Sequence, residues 1–235
     1  MKIGVFDSGI GGLTVLKKLI EKNPYSEYIY YGDTKNIPFG NKSIDELRTI
    51  SDKIVKFLIN KEVDIIVIAC GTISSNLTEY LKSKYDIPIY DIISGLVDYI
   101  NNSEYKNIGV LCTNQTKKSR IFETKINKKV NVVSCNHLAS LIENNQNVDL
   151  YIQKKLSKLN NNDVIILGCT HYPLVIDIIR KYTNSKILDM SDYLKLDVDK
   201  STNFKLELYF SKVDQTLRNN IKKILGDYEY TIKNK

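Results

Sequence analysis

The chain has 235 residues, 43% of them hydrophobic and 26% charged, a composition ordinary for a globular protein able to bury a core. No stretch approaches the roughly eighteen consecutive apolar residues needed to cross a bilayer, and the opening Met1-Lys2-Ile3-Gly4-Val5-Phe6-Asp7 lacks the apolar run and cleavage site of a signal peptide. The net charge of +7 is spread over scattered pairs such as Lys17-Lys18, Lys128-Lys129 and Lys222-Lys223 rather than one stripe, and the 16 tyrosines are dispersed. That pattern speaks against nucleic-acid and membrane partners and predicts a cytoplasmic protein with a solvated basic surface.

Taken in order, Ile3 to Phe6, Tyr28 to Tyr31, Ile65 to Ala69 and Ile89 to Ile92 read as strands. Helical periodicity covers Leu13 to Glu21, Ile44 to Ile59 and Ser75 to Lys84. The plan then recurs, with strands expected at Ile108 to Cys112, Val130 to Ser134, Val164 to Leu167 and Lys186 to Leu188. Strands that are apolar throughout predict an α/β fold with mainly parallel sheets covered on both faces. Beyond Met190, Lys205 to Phe210 reads as a strand and Val213 to Leu225 as a helix.

Two segments match position by position: Asp64 to Cys70 and Asp163 to Cys169, roughly a hundred residues apart. Ile3 to Ser8 likewise resembles Ile108 to Thr113. The repeat predicts two pseudo-symmetric α/β domains with a cleft between them. The expected division is 1–94 plus 191–235 for the first domain and 95–190 for the second.

Ligands of open parallel sheets sit beyond the carboxyl ends of the strands. Those ends here are Asp7-Ser8, Cys70-Gly71-Thr72, Thr113 to Thr116, and Cys169-Thr170-His171. If the two halves face each other, one cysteine stands on each wall. Inverting a stereocentre by deprotonation needs a base on one face of the carbon and an acid on the other, and two identical groups can exchange those roles. A thiol, whose ordinary pKa is about 8.5, supplies both forms once its neighbours adjust it. Asp7 and His171 are natural partners for that adjustment. Ser8, Thr72, Thr113, Thr116 and Thr170 offer hydroxyls to hold a carboxylate as charge develops.

Structural readings stand beside these. Free cysteines often pack as small hydrophobes, and Cys112 and Cys135 are read that way. With four separated cysteines and only His137 and His171, no metal site is expected. Asp7 can cap the helix opening at Gly11 to Leu13. The run Gly9 to Gly12 lacks the Lys-Ser/Thr of a phosphate-binding loop, so it is read as a close backbone approach to a substrate carboxylate. A thiol hydrolase built on Cys169 and His171 would leave Cys70 idle.

The sequence resembles the glutamate racemases of the aspartate/glutamate racemase family. The resemblance rests on Phe6 to Val15, Tyr31 to Thr34 with Pro38 to Ser43, Ala69 to Thr72, Gly109 to Phe122, and Gly168 to Leu174. These stretches run in family order across most of the chain. The resemblance implies racemisation of glutamate for the cell wall without pyridoxal phosphate or another cofactor. Cys70 would serve the proton of D-glutamate and Cys169 that of L-glutamate, with Asp7 and His171 assisting. It also implies contacts from Pro38, Phe39, Gly40 and Glu143. Gly71 stands where the family usually has asparagine, Phe39 where tyrosine is common, and Asn136 and Ser140 where prolines are usual. Because those departures touch substrate contacts, an aspartate or broader racemase, or a member retained as a binding or regulatory protein, stays open beside glutamate. The only partner implied is a small-molecule substrate, and a homodimer is compatible with the reading.

Overall fold

Near-continuous apolar strands need cover on both faces, and the chain provides it with two sheets whose strand pairings are all parallel among the described residues. The computed structural model describes residues 1–196 and 203–235. Residues 197–202, part of the tail assigned above to the first domain, lie outside the described residues.

The first half alternates β1 (Lys2–Asp7), α1 (Gly12–Lys22), β2 (Glu27–Gly32), α2 (Ile44–Ile59), β3 (Ile65–Ile68), α3 (Gly71–Lys84), β4 (Ile89–Asp91) and α4 (Ser94–Asn101). The second half follows with β5 (Asn107–Cys112), α5 (Asn114–Ser119), α6 (Ile121–Lys125), β6 (Lys129–Ser134), α7 (Leu138–Glu143), α8 (Asp149–Leu156), β7 (Val164–Gly168), α9 (Ile176–Arg180) and β8 (Lys186–Asp189). The tail adds β9 (Lys205–Phe210), α10 (Gln215–Leu225) and β10 (Thr231–Asn234).

Strand order is β10-β9-β2-β1-β3-β4 in the six-stranded sheet and β6-β5-β7-β8 in the four-stranded one. The second sheet therefore repeats the β2-β1-β3-β4 arrangement of the first. The sequence-matched strands occupy equivalent places: Ile3 pairs with Ile65 in one sheet and Ile108 with Val164 in the other. Strand order reverses between β1 and β3, and again between β5 and β7, which is where an open parallel sheet forms its ligand crevice.

Local chemistry sets the boundaries. Ser43 opens α2 with a capping box, its hydroxyl accepting from Glu46 N at 3.3 Å while Ser43 N donates to Glu46 Oε2 at 2.8 Å. Asp214 caps α10 by accepting from Leu217 N at 2.8 Å, so that helix starts at Gln215 rather than Val213. The third helix starts at Gly71, a full turn before the expected Ser75. Its first turn is rich in small hydroxylated residues of modest helix propensity, but packing against α5 buries them. The short exposed β10, with Lys and Asn among its four residues, carries no apolar strand signal.

One apolar cluster includes Leu13, Tyr30, Val110, Val164 and Leu208 and so runs through both sheets. Two flanking clusters are each confined to one sheet, around Ile66 with Leu77 and around Ile165 with Tyr172. No helix among the described residues is long and apolar enough to cross a membrane.

Candidate active site

Cys70 lies two residues beyond the end of β3 and Cys169 directly after β7, and both side chains line one cavity of about 270 Å³. Around them the same cavity takes in Ser8, Pro38, Phe39, Gly40, Gly71, Thr72, Thr113, Glu143, Thr170 and His171. Two residues singled out in the sequence stand behind the wall instead. Asp7 is fully buried, and Thr116 is 1% exposed.

The two thiols have unlike surroundings. At Cys70, burial pushes the pKa well above the usual thiol value, and the Asp7 carboxylate pushes in the same direction. Backbone hydrogen bonds from Ile73 and Thr72 work against that rise. Asp7 itself accepts from Gly12 N at 2.6 Å and from Thr170 Oγ1 at 3.4 Å, both through Oδ2. Its Oδ1 is buried and accepts no hydrogen bond among the described residues. The sequence-level reading of Asp7 as a helix-start acceptor thus holds, with one oxygen left over.

Beside Cys169, His171 Nδ1 lies 3.7 Å from Sγ, and His171 Nε2 lies 2.7 Å from Glu143 Oε1. Burial disfavours the imidazolium, but the hydrogen bonds with Cys169 and Glu143 outweigh it and raise the His171 pKa well above the ordinary histidine value. The His171 ring thus bridges the Cys169 sulfur and the Glu143 carboxylate.

In the β1–α1 turn two backbone donors serve protein carboxylates: Ile10 N donates to Glu143 Oε1 at 3.2 Å and Gly12 N to Asp7. Glycine is needed there for close approach: a Cβ on Gly11 would stand 2.5 Å from both His171 Nδ1 and Thr170 Oγ1. At Gly71 a Cβ would meet the carbonyl oxygen of Gly168 at 2.7 Å, so the backbones leading from β3 and β7 nearly touch.

Ile37, Cys135, Asn136, Ala139, Ser140 and Asn144 also line the cavity and were not singled out as site residues. Asn136 and Ser140 had a signal, their departure from usual prolines, whereas Cys135 read as a packing residue. Among the described residues, no lysine or arginine is on the cavity wall. A carboxylate bound there has hydroxyls, backbone donors and His171 to rely on. Among the described residues, no group of three His, Cys, Asp or Glu side chains is placed to hold a metal ion.

The family model described as Asp/Glu/Hydantoin racemase matches residues 3–193. A glutamate racemase of a Hydrogenobaculum species is 33% identical over 250 residues, covering 99% of this chain and 96% of its own. The crystal structure of a glutamate racemase isoform from Bacillus anthracis superposes with a TM-score of 0.91 at 26% identity, covering 99% of this chain and 96% of its own. That of the Francisella tularensis glutamate racemase in complex with D-glutamate gives 0.88 at 30% identity, with 100% and 97% covered. With a family match over most of its length and a fold shared end to end, the chain belongs to the Asp/Glu/hydantoin racemase family and is an amino-acid racemase.

Proposed function

We propose that the protein interconverts L- and D-glutamate by a two-base mechanism, with Cys169 and Cys70 on opposite faces of the substrate Cα. One observation carries the reading: two cysteines from matching strands of different sheets line the same small cavity. Its volume lies below the roughly 300–1,000 Å³ of drug-sized sites, in keeping with a single amino acid. Glutamate is favoured because relatives of 30% identity or more that match nearly the whole chain carry that name.

In the L-to-D direction, the Cys169 thiolate beside His171 takes the Cα proton, and the Cys70 thiol delivers one to the other face. The C–H bond broken and the C–H bond formed balance, leaving Cys169 as thiol and Cys70 as thiolate. The reverse reaction starts from that state and restores the first. Negative charge spreads into the substrate carboxylate, where Thr72, Thr113, Thr170 and Ser8 supply hydroxyl donors. Thr116 supports Thr113 from behind. Glu143 holds the imidazolium of His171, and Asp7 assists at the Cys70 side. Pro38, Phe39, Gly40 and Gly71 shape the remaining wall.

In this reading residues 1–94 with 191–235 carry Cys70, residues 95–190 carry Cys169, and movement between the two units admits substrate. The enzyme acts in the cytoplasm and supplies D-glutamate for peptidoglycan, with no partner required beyond its substrate.

The test uses purified protein with L- and D-glutamate in deuterated water, following optical rotation and exchange at Cα, and repeats it with aspartate. Racemisation of glutamate with solvent exchange is expected. Faster turnover of aspartate rejects the substrate assignment, and absence of exchange with either rejects the mechanism in favour of a binding protein.

A further inference from the structure

Behind the cavity wall a set of small polar side chains links the starts of α3 and α5. Thr72 Oγ1 lies 3.0 Å from Thr113 Oγ1, and Thr113 Oγ1 donates to Thr116 Oγ1 at 3.0 Å. Ser75 Oγ, on α3, reaches the same Thr116 oxygen at 3.2 Å. Thr116 is therefore the common acceptor for one hydroxyl from its own helix cap and one from the helix across the crevice.

Proton accounting gives this arrangement a consequence. Each hydroxyl has one proton to donate. While Thr113 donates to Thr116 and Thr72 to Thr113, neither proton faces the cavity. A bound carboxylate needs both, so binding turns them outward and takes from Thr116 one of its two donors. Ser75 is the donor that remains.

Asn76 keeps Ser75 available for that task. Its Nδ2 donates to Thr72 O at 2.8 Å and to Ser75 Oγ at 2.8 Å. The amide orientation is fixed by carbonyl acceptors, with Gln115 O also within 3.5 Å. The Ser75 proton has two acceptors in reach, Thr72 O at 3.0 Å and Thr116 Oγ1 at 3.2 Å. Because Asn76 also donates to Thr72 O, that carbonyl keeps a hydrogen bond when the Ser75 proton turns to Thr116 on substrate binding.

We propose that Ser75, oriented by Asn76, is a positioning residue for the substrate carboxylate: its proton satisfies Thr116 so that Thr113 and Thr72 can turn theirs into the cavity. The assignment rests on the reading above that a carboxylate binds against Thr72 and Thr113. It acts on substrate and transition state alike, so it is read in KM rather than kcat.

Ser75→Ala should raise KM for both enantiomers roughly fivefold to tenfold, the cost of one lost hydrogen bond to a buried group, with kcat within about twofold. Ser75→Thr should restore KM, because Ser75 borders a separate cavity of about 280 Å³ with room for a methyl group. Asn76→Asp, which draws the Ser75 proton back toward residue 76, should raise KM as Ser75→Ala does. Protection of each variant against thermal unfolding by D-glutamate gives a second readout independent of turnover. Unchanged KM in both Ser75→Ala and Asn76→Asp, or a Ser75→Thr enzyme as impaired as Ser75→Ala, overturns the assignment while leaving the racemase intact. A wild-type protein that neither turns over glutamate nor is protected by it refutes both readings.

Discussion

Glu143→Gln isolates the charge that holds His171 protonated. Glu143 and His171 side chains are only 12% and 4% exposed, and their 2.7 Å contact is poorly screened. The folded-state pKa of His171 is raised, so between the unfolded histidine value near 6.5 and that higher value the native protein holds a proton the unfolded chain has released. Its stabilisation is present in full below about 6.5 and is lost as pH rises through the folded pKa. Across that window one bound proton contributes a fall of at most about 1.4 kcal/mol per pH unit. Gln retains an oxygen for Ile10 N and His171 but carries no charge, so the imidazolium keeps Cys169 but loses the Glu143 carboxylate against the same burial, and its pKa falls. The wild-type-minus-variant difference in urea-unfolding free energy should then shrink steadily as pH rises above about 6.5. Racemisation should fall by about 10²–10⁴, the range for losing acid–base assistance. Optical rotation reads the activity, and the His171 ring proton resonance reads its titration. A variant with the wild-type slope, whose His171 titrates as before, refutes the argument that Glu143 sets the charge of this pair.

The remaining predictions follow from the same geometry. Cys70→Ala and Cys169→Ala should each abolish racemisation, yet each should still eliminate a β-leaving group from the enantiomer its remaining thiol faces, measured as coupled release of a 2-oxo acid. Racemisation at the wild-type rate by either variant ends the two-base scheme. Gly71→Asn places a Cβ 2.7 Å from the Gly168 carbonyl oxygen and should destabilise by about 1–3 kcal/mol, seen as a lower Tm. Leu208→Ala on β9 removes a fully buried side chain from the cluster spanning both sheets and should cost about 2–5 kcal/mol in urea unfolding.

The strands were legible because buried parallel strands need apolar residues at every position, and Ile65 to Ile68 or Val164 to Leu167 offer nothing else. Their matched endings also made the repeat visible. The first turn of α3 was not legible, because Gly71 to Ser74 have weak local propensity and owe their helical state to α5 across the crevice. Strand β10 pairs with β9 at an exposed sheet edge, where polar residues are tolerated and periodicity fades. At the site, residue types beyond strand ends identified the thiols and most of the hydroxyls. What could not be read was which partner each donor meets. Ile10 N faces Glu143, and Thr116 faces Ser75 rather than the cavity, through contacts made only by folding.

The repeat alone would make a poor racemase. Two thiols in identical surroundings would share one protonation state, whereas each turnover needs one thiolate and one thiol together. The structure breaks that symmetry just after each cysteine. Following Cys70, α3 begins at once, and the charged neighbour is Asp7 from β1, which with burial favours the thiol. Following Cys169, the chain instead makes a 3-10 turn, Tyr172–Val175, with Pro173 inside it. This sets His171 two residues past the sulfur, where Nδ1 can turn back on Sγ while Nε2 holds Glu143. Asp7 therefore stands near one sulfur and the His171–Glu143 pair beside the other, and in the proposed two-base scheme that difference assigns the resting acid to Cys70 and the resting base to Cys169. In that scheme turnover exchanges the two roles. The difference between Gly-Thr-Ile-Ser and Thr-His-Tyr-Pro after the matched cysteines is what gives a duplicated strand end two unlike surroundings, as the two-base proposal requires.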